Sequence, residues 1–257
     1  FWQYSQSGVW DKIDNEIIKK IVDTKLGDGS KKNRIADVLE LVSIKVYESQ
    51  ELNQSRKLLN LQNGMFDTST YQLVSHDKTY LSTIQLQVKY DPEAKCPLWL
   101  KFLKEVLEGD EKLVSIVQEF FGYCLVADTR YEKLLLLVGE GSNGKSTLIN
   151  VLTALIGMQN ISTISLSSLE QQFHRAALYQ KLVNVSTEFE ISELLTSGYM
   201  KSIVSGDPID ACFKFKDVFS FNPFCRIVVA MNELPRVRDK SFGFYRRLLI
   251  IPFNKRF

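Results

Sequence analysis

The 257-residue sequence predicts an α/β protein: a layered domain on a central parallel sheet, preceded by a smaller α+β region. Three observations predict it. In the second half, apolar runs of strand length alternate with helix-length stretches, as expected for strands covered on both faces by crossover helices. A glycine-rich turn at residues 139–144 joins one such strand to one such helix. The composition, 45% apolar and 24% charged with only six prolines and thirteen glycines, supplies a core and excludes a disordered or fibrous chain.

Taken in order, residues 9–26 read as an amphipathic helix with Val9, Trp10, Ile13, Ile17, Ile18, Ile21 and Val22 on one face, closed by Gly27-Asp28-Gly29-Ser30. A second helix is expected from Ile35 to Tyr47. Short β-like runs at Lys57–Leu61, Tyr71–Val74 and Tyr80–Val88 surround Asn63-Gly64, the signature of small hairpins. Asp91-Pro92 and Cys96-Pro97 mark a boundary. Helices at Leu98–Val106 and Glu111–Leu125 follow. Beyond them come strands at Leu134–Val138, Leu182–Ser186, Ile227–Met231 and Leu248–Pro252, with helices at Lys145–Leu155 and Tyr199–Val204. The expected division is an α+β region over 1–95, a helical collar over 96–130 and a core over 131–257.

No stretch approaches the roughly 18 apolar residues of a membrane span, so no membrane partner is expected. The chain opens on Phe1-Trp2 and ends on Arg256-Phe257, which reads as a fragment of a longer protein. Four scattered cysteines (Cys96, Cys124, Cys212, Cys225) and two histidines argue for free thiols in a reducing compartment, the cytoplasm, against a zinc site or disulfide framework. Residues 1–130 carry 17 Lys and Arg against 19 Asp and Glu, while residues 131–257 carry 15 against 11. The basic excess gathers after Asn232, at Arg236, Arg238, Lys240, Arg246, Arg247, Lys255 and Arg256. Such a cluster suits polyphosphate or nucleic acid, or a solvated surface.

Gly139-Glu140-Gly141-Ser142-Asn143-Gly144-Lys145-Ser146 fulfils G-x-x-x-x-G-K-[ST], between a predicted strand and a predicted helix that continues into Thr147. Glycines let the backbone turn its N–H groups onto phosphate, and the helix N-terminus adds positive potential. Lys145 would bridge β- and γ-phosphates and Ser146 would ligate Mg²⁺, so a nucleoside triphosphate is expected here. The strand at 182–186 runs on to Glu188 and Glu190, one to hold Mg²⁺ and the other to polarise water, their roles not separated by spacing. Asn232, at the end of another buried strand, would reach the γ-phosphate or cap a turn.

Taken together, the phosphate loop, Glu188 with Glu190, Val204-Ser205-Gly206-Asp207-Pro208, Ala230-Met231-Asn232-Glu233-Leu234-Pro235 and Phe244-Tyr245-Arg246-Arg247 resemble a superfamily 3 helicase. The nearest branch is the phage, plasmid and poxvirus-type primase–helicases. Phe1–Ile13, Leu59–Asp67 and Tyr90-Asp91-Pro92 resemble that branch as well. The resemblance implies an AAA+-like P-loop NTPase core using ATP and Mg²⁺, a hexameric ring, and movement along single-stranded or forked DNA during replication. It also implies a primase or polymerase module in the same full-length chain. Carried over by position, Lys145 and Ser146 match Walker A and Glu188 with Glu190 the Walker B pair, with Ser146 and Glu188 as metal ligands. Asn232 matches sensor 1. Arg246 and Arg247 match the pair that supplies a finger to the neighbouring subunit's ATP.

The family's DNA-contacting hairpin falls where Lys214, Phe215 and Lys216 stand. The lysines can neutralise phosphates and a phenylalanine can stack or brace. Alternating Lys and Phe also describe a half-buried strand with a wet face. An AAA+-like ATPase that remodels a protein partner, without unwinding DNA, is the alternative, and DNA-stimulated hydrolysis separates the two.

Overall fold

A computed structural model describes residues 1–46, 52–53, 55–187, 198–234 and 241–257. A two-stranded hairpin, β1 (Trp2–Tyr4) and β2 (Trp10–Lys12), precedes α1 (Asn15–Leu26) and α2 (Lys32–Lys45). A three-stranded antiparallel meander follows: β3 (Leu58–Leu61), β4 (Gly64–Asp67) and β5 (Gln72–Val74). Next come α3 (Pro97–Val106) and α4 (Glu111–Cys124). The remainder comprises β6 (Leu134–Val138), α5 (Lys145–Ile156), β7 (Ile161–Ser162), α6 (Gln172–Arg175), β8 (Val183–Thr187), α7 (Gly198–Ser205), β9 (Ile209–Cys212), β10 (Val218–Phe221), β11 (Arg226–Met231), α8 (Phe242–Tyr245) and β12 (Leu248–Pro252).

Five of these strands form one parallel sheet in the order β12-β6-β11-β8-β7. The apolar runs of β6, β11 and β12 are near-continuous because side chains point alternately to two covered faces. On one face Leu135, Leu137, Val228, Ala230 and Ile251 pack on Leu148, Leu152 and Ile156 of α5 and on Leu103, Val106, Val117 and Phe120 of α3 and α4. The same cluster takes in Leu59, Leu61, Ile84 and Leu86, so the meander and both helices share a core with the sheet. On the other face Leu134, Leu136, Ile227 and Val229 meet Met200, Ile203 and Val204 of α7, with Leu166, Leu169, Leu178 and Phe244.

Several expected elements are redrawn. The helix predicted from residue 9 starts at Asn15: Asp14 caps it by accepting from Glu16 N at 2.8 Å, and Trp10 instead pairs across the hairpin with Tyr4, ring centroids 5.6 Å apart. Tyr80–Val88 is not a strand. Among the described residues it is tied to its neighbours by isolated bonds, among them Leu86 N to Asn60 O (2.8 Å), Gln62 N to Val88 O (3.0 Å), Trp10 N to Ser82 O (2.8 Å) and Asn53 N to Leu81 O (3.1 Å), and no ladder propagates. Its alternation is nonetheless real, for Ile84 and Leu86 are both buried. The Gly64–Asp67 strand, unforeseen, is the middle of the meander.

α4 begins at the Asp110 carboxylate, which accepts from the N–H groups of Lys112 and Leu113 at 2.9 and 3.2 Å. At its other end lies Arg226, 1% exposed at the start of β11. Its guanidinium donates to the carbonyls of Tyr123 (2.7 Å), Val126, Asp128 (3.2 Å) and Phe224, and lies 4.9 Å from the Tyr123 ring centroid. A buried cation thus caps the negative end of a helix, where its charge is favoured without a carboxylate partner.

Candidate functional site

The turn predicted at 139–144 lies between β6 and α5, and its shape requires its glycines. A Cβ on Gly139 would stand 2.3 Å from Phe253 O and 2.4 Å from Asn143 Nδ2. Gly144 has φ +95°, and a Cβ there would press within 2.9 Å of Val106 Cγ1. Lys145, largely buried at the first position of α5, turns its ammonium into the loop, donating to Gly139 O, to Glu140 O (2.9 Å) and to Asn143 Oδ1 (2.9 Å). Burial pushes its pKa down. Asn143, also buried, donates onward to Phe253 O at 3.1 Å and so ties the loop to the end of β12.

An open cleft of about 410 Å³ lies against this loop, lined by Gly141 to Thr147 and by Thr187, Ala230, Met231 and Asn232. The register explains the convergence. Met231 pairs with Val138 and Ala230 with Thr187, so the ends of β6, β11 and β8 open on one edge of the sheet. Ser146, Thr147 and Asn232 are exposed to it. Thr187 was not anticipated as a lining residue. Glu188 and Glu190 lie outside the described residues, as do Arg236, Arg238 and Lys240. Among the described residues no group of three His, Cys, Asp or Glu side chains is placed to hold a metal ion, and no helix is long and apolar enough to cross a membrane.

Arg246 and Arg247 stand elsewhere. They precede β12, whose Leu248 pairs with Leu134 at the start of β6, whereas the loop follows the end of β6. Five residues at roughly 3.3 Å each put the pair about 16 Å from their own loop, at the opposite edge of the sheet. Both guanidiniums meet Glu132, and Arg247 also donates to Ser205 Oγ at 2.9 Å.

Lys214, Phe215 and Lys216 are in the turn between β9 and β10, with Cys212 paired to Val218. The half-buried strand is therefore the wrong description of these three residues. Phe213 braces the turn, stacked on Phe219 at 5.0 Å and edge-on to Tyr179. Phe215 is at the tip, 93% exposed with φ 62°. The hairpin base is fixed by Arg175, 2% exposed, which pairs with Asp210 and stacks 3.8 Å from the Tyr199 ring centroid. Burial alone would raise the Asp210 carboxyl, but hydrogen bonds from Arg175 and Tyr199 outweigh it and hold the carboxyl below its ordinary value.

Fold and site together define a parallel α/β protein with a glycine loop and a helix N-terminus opening on a cleft at the carboxyl edge of its sheet. Known proteins resemble the chain in sequence or in fold. Residues 2–108 match a family model described as "D5 N terminal like", and residues 137–247 match a family of unknown function (DUF5906). Two viral proteins, each named a "Putative helicase", are similar to 81% of the chain: L207/L206 of Acanthamoeba polyphaga mimivirus at 24% identity and 184R of Invertebrate iridescent virus 6 at 23%. The chain spans 23% of the length of each. Among solved structures, the C-terminal region of NrS-1 (305–718) matches 98% of the chain over 56% of its own, with a TM-score of 0.65 and 17% identity, a likeness of fold. The viral relatives are thus named as helicases, while neither family description states an activity.

Proposed function

We propose that this chain carries the ATPase core of a superfamily 3-type replication helicase, acting as a ring on single-stranded or forked DNA. The observation that carries it is the cleft: a glycine-shaped turn, a buried lysine and the first turn of α5 meet Asn232 and the end of β8 at one sheet edge. The site fits a triphosphate on steric grounds, because Gly141 lines the cleft with no side chain and the N–H groups of the first turn of α5 have no intrahelical acceptor. Lys145 exchanges its loop oxygens for phosphate oxygens. Ser146 with Glu188 would hold Mg²⁺, which neutralises phosphate charge when bound. Of the acids after Thr187, Glu190 orients the attacking water, and Asn232 reads the γ-phosphate. Arg246 and Arg247, too far from their own loop, serve the nucleotide of a neighbouring copy.

The exposed tip of the β9–β10 hairpin, with Lys214, Phe215 and Lys216, contacts the DNA strand. Residues 96–130 contribute to ring contacts through the outer surface of α3, where Leu98 and Leu100 are exposed, their inner faces being taken by the sheet. Residues 1–95 form the accessory region, and a primase or polymerase module belongs to the full-length protein. The test is Lys145→Ala. Hydrolysis should fall at least about 100-fold while the variant stays folded, and wild-type hydrolysis should rise when single-stranded DNA is added. Near-normal turnover in the variant removes the ATPase; hydrolysis indifferent to DNA favours a protein-remodelling role.

A further inference from the structure

The arginine pair is not symmetric. We propose that Glu132 is the positioning residue of the pair and that Arg246 is the member that reaches a neighbouring copy's nucleotide; this rests on the ATPase reading above. One carboxylate oxygen, Oε2 of Glu132, meets Nη2 of Arg246 and lies 3.2 Å from Nη2 of Arg247. Glu132 has φ 48°, a left-handed conformation that a non-glycine residue adopts only when its surroundings impose it. They do so here: Glu132 N donates to Thr129 O at 2.8 Å, and the turn is anchored by Asp128, 5% exposed, which accepts from Arg130 N at 2.8 Å.

The two guanidiniums differ in how they are held. Arg247 has 16% of its side chain exposed and donates to Gly243 O and Ser205 Oγ besides meeting Glu132. Arg246 is 41% exposed and, among the described residues, its guanidinium meets Glu132 alone. Lys133 holds only its backbone, through Arg246 O. One acid facing two cations gives the pair a division of labour. Arg246 exchanges a carboxylate oxygen for a phosphate oxygen of another copy, while Arg247 stays and keeps Glu132 neutralised. Glu132 touches no nucleotide; it sets where Arg246 waits.

The test is subunit mixing with the full-length chain, using Glu132→Gln and, as a second variant, Glu132→Ala. Each alone should lower kcat for ATP about tenfold with KM within about twofold, because its own loop is intact. Mixed with Lys145→Ala subunits, which bring a sound Glu132 and Arg246, either should recover activity. Mixed with Arg246→Ala subunits, neither should, because both partners are then defective at the same edge. A merely structural role for Glu132 has no such polarity. Arg247→Ala should lower the melting temperature, and Arg246→Ala should leave it unchanged. Recovery with Arg246→Ala, or none with Lys145→Ala, overturns the inference. Full ATPase activity in both Arg246→Ala and Arg247→Ala overturns the assignment of the arginines to a neighbour's nucleotide, and the inference with it.

Discussion

The two edges of the parallel sheet are built by different means. At the carboxyl edge the site is a backbone object: glycines where no Cβ fits, a lysine satisfied by three oxygens within seven residues of itself, and strand ends brought level by register. At the amino edge it is made of cations held by distant partners. Arg226 is 103 residues from the carbonyl of Tyr123 that it caps, and Arg246 is 114 from Glu132. The first kind of site is written in adjacent letters. The second exists only once the chain has folded.

That difference makes the edges fail differently when altered. The largest stability loss is expected at the amino edge: Arg226→Leu should cost about 3–5 kcal/mol, since it strands four buried carbonyls and the end of α4, as a fall in the denaturant midpoint would record. An unchanged midpoint would mean that water replaces the guanidinium and that the cage is not structural. At the carboxyl edge Gly144→Ala should cost less, about 1–3 kcal/mol, through its φ of +95° and the contact with Val106. Nucleotide affinity, measured by calorimetry, should fall further than stability does, because the strain is placed in the loop itself. If affinity survives, the loop has another way to fold and the contrast between the edges weakens.

The smallest effect expected is a dependence on pH. Burial alone would raise the Asp128 carboxyl, yet the Arg130 backbone and side chain, with Arg56, hold it below its ordinary value. The folded form therefore favours the carboxylate. Asp128 contributes stability above its unfolded pKa, near 3.9, and loses it as pH falls through the lower folded value. Melting scans from pH 6 downward should show this loss, and Asp128→Asn should flatten it. An equal slope in the variant would assign acid sensitivity to other carboxylates.

How much was legible follows the same division. Four of the five sheet strands were readable, because burial on both faces gives apolar runs such as Leu134–Val138; β7, only the two residues Ile161 and Ser162, is too short to leave a pattern. The glycine turn at residues 139–144 was readable because its constraints are local. The β1–β2 hairpin was hidden because Trp10 and Ile13 fit a helical face as well as a strand, and only the Asp14 cap and the pairing with Tyr4 decide between them. Lys214 and Lys216 left a strand reading open because the alternation of Lys and Phe does not mark where a hairpin reverses. Glu132, Arg175 and Asp128 carried no signal, for an isolated charged residue looks like surface until its partner is known. Asn143 sat in full view inside the motif, yet its role as the brace between Lys145 and Phe253 needed coordinates.

β11 spans the two edges, and this has a kinetic consequence. All six of its residues are buried, it is hydrogen-bonded to β6 on one side and β8 on the other, and its first residue is locked to the end of α4. Its amide protons should be among the slowest to exchange with solvent, because freeing them requires both flanking ladders to open. Asn232, one residue beyond, is carried on a strand hydrogen-bonded on both sides. β11 is therefore a fixed length between the cleft and the edge where Arg246 stands.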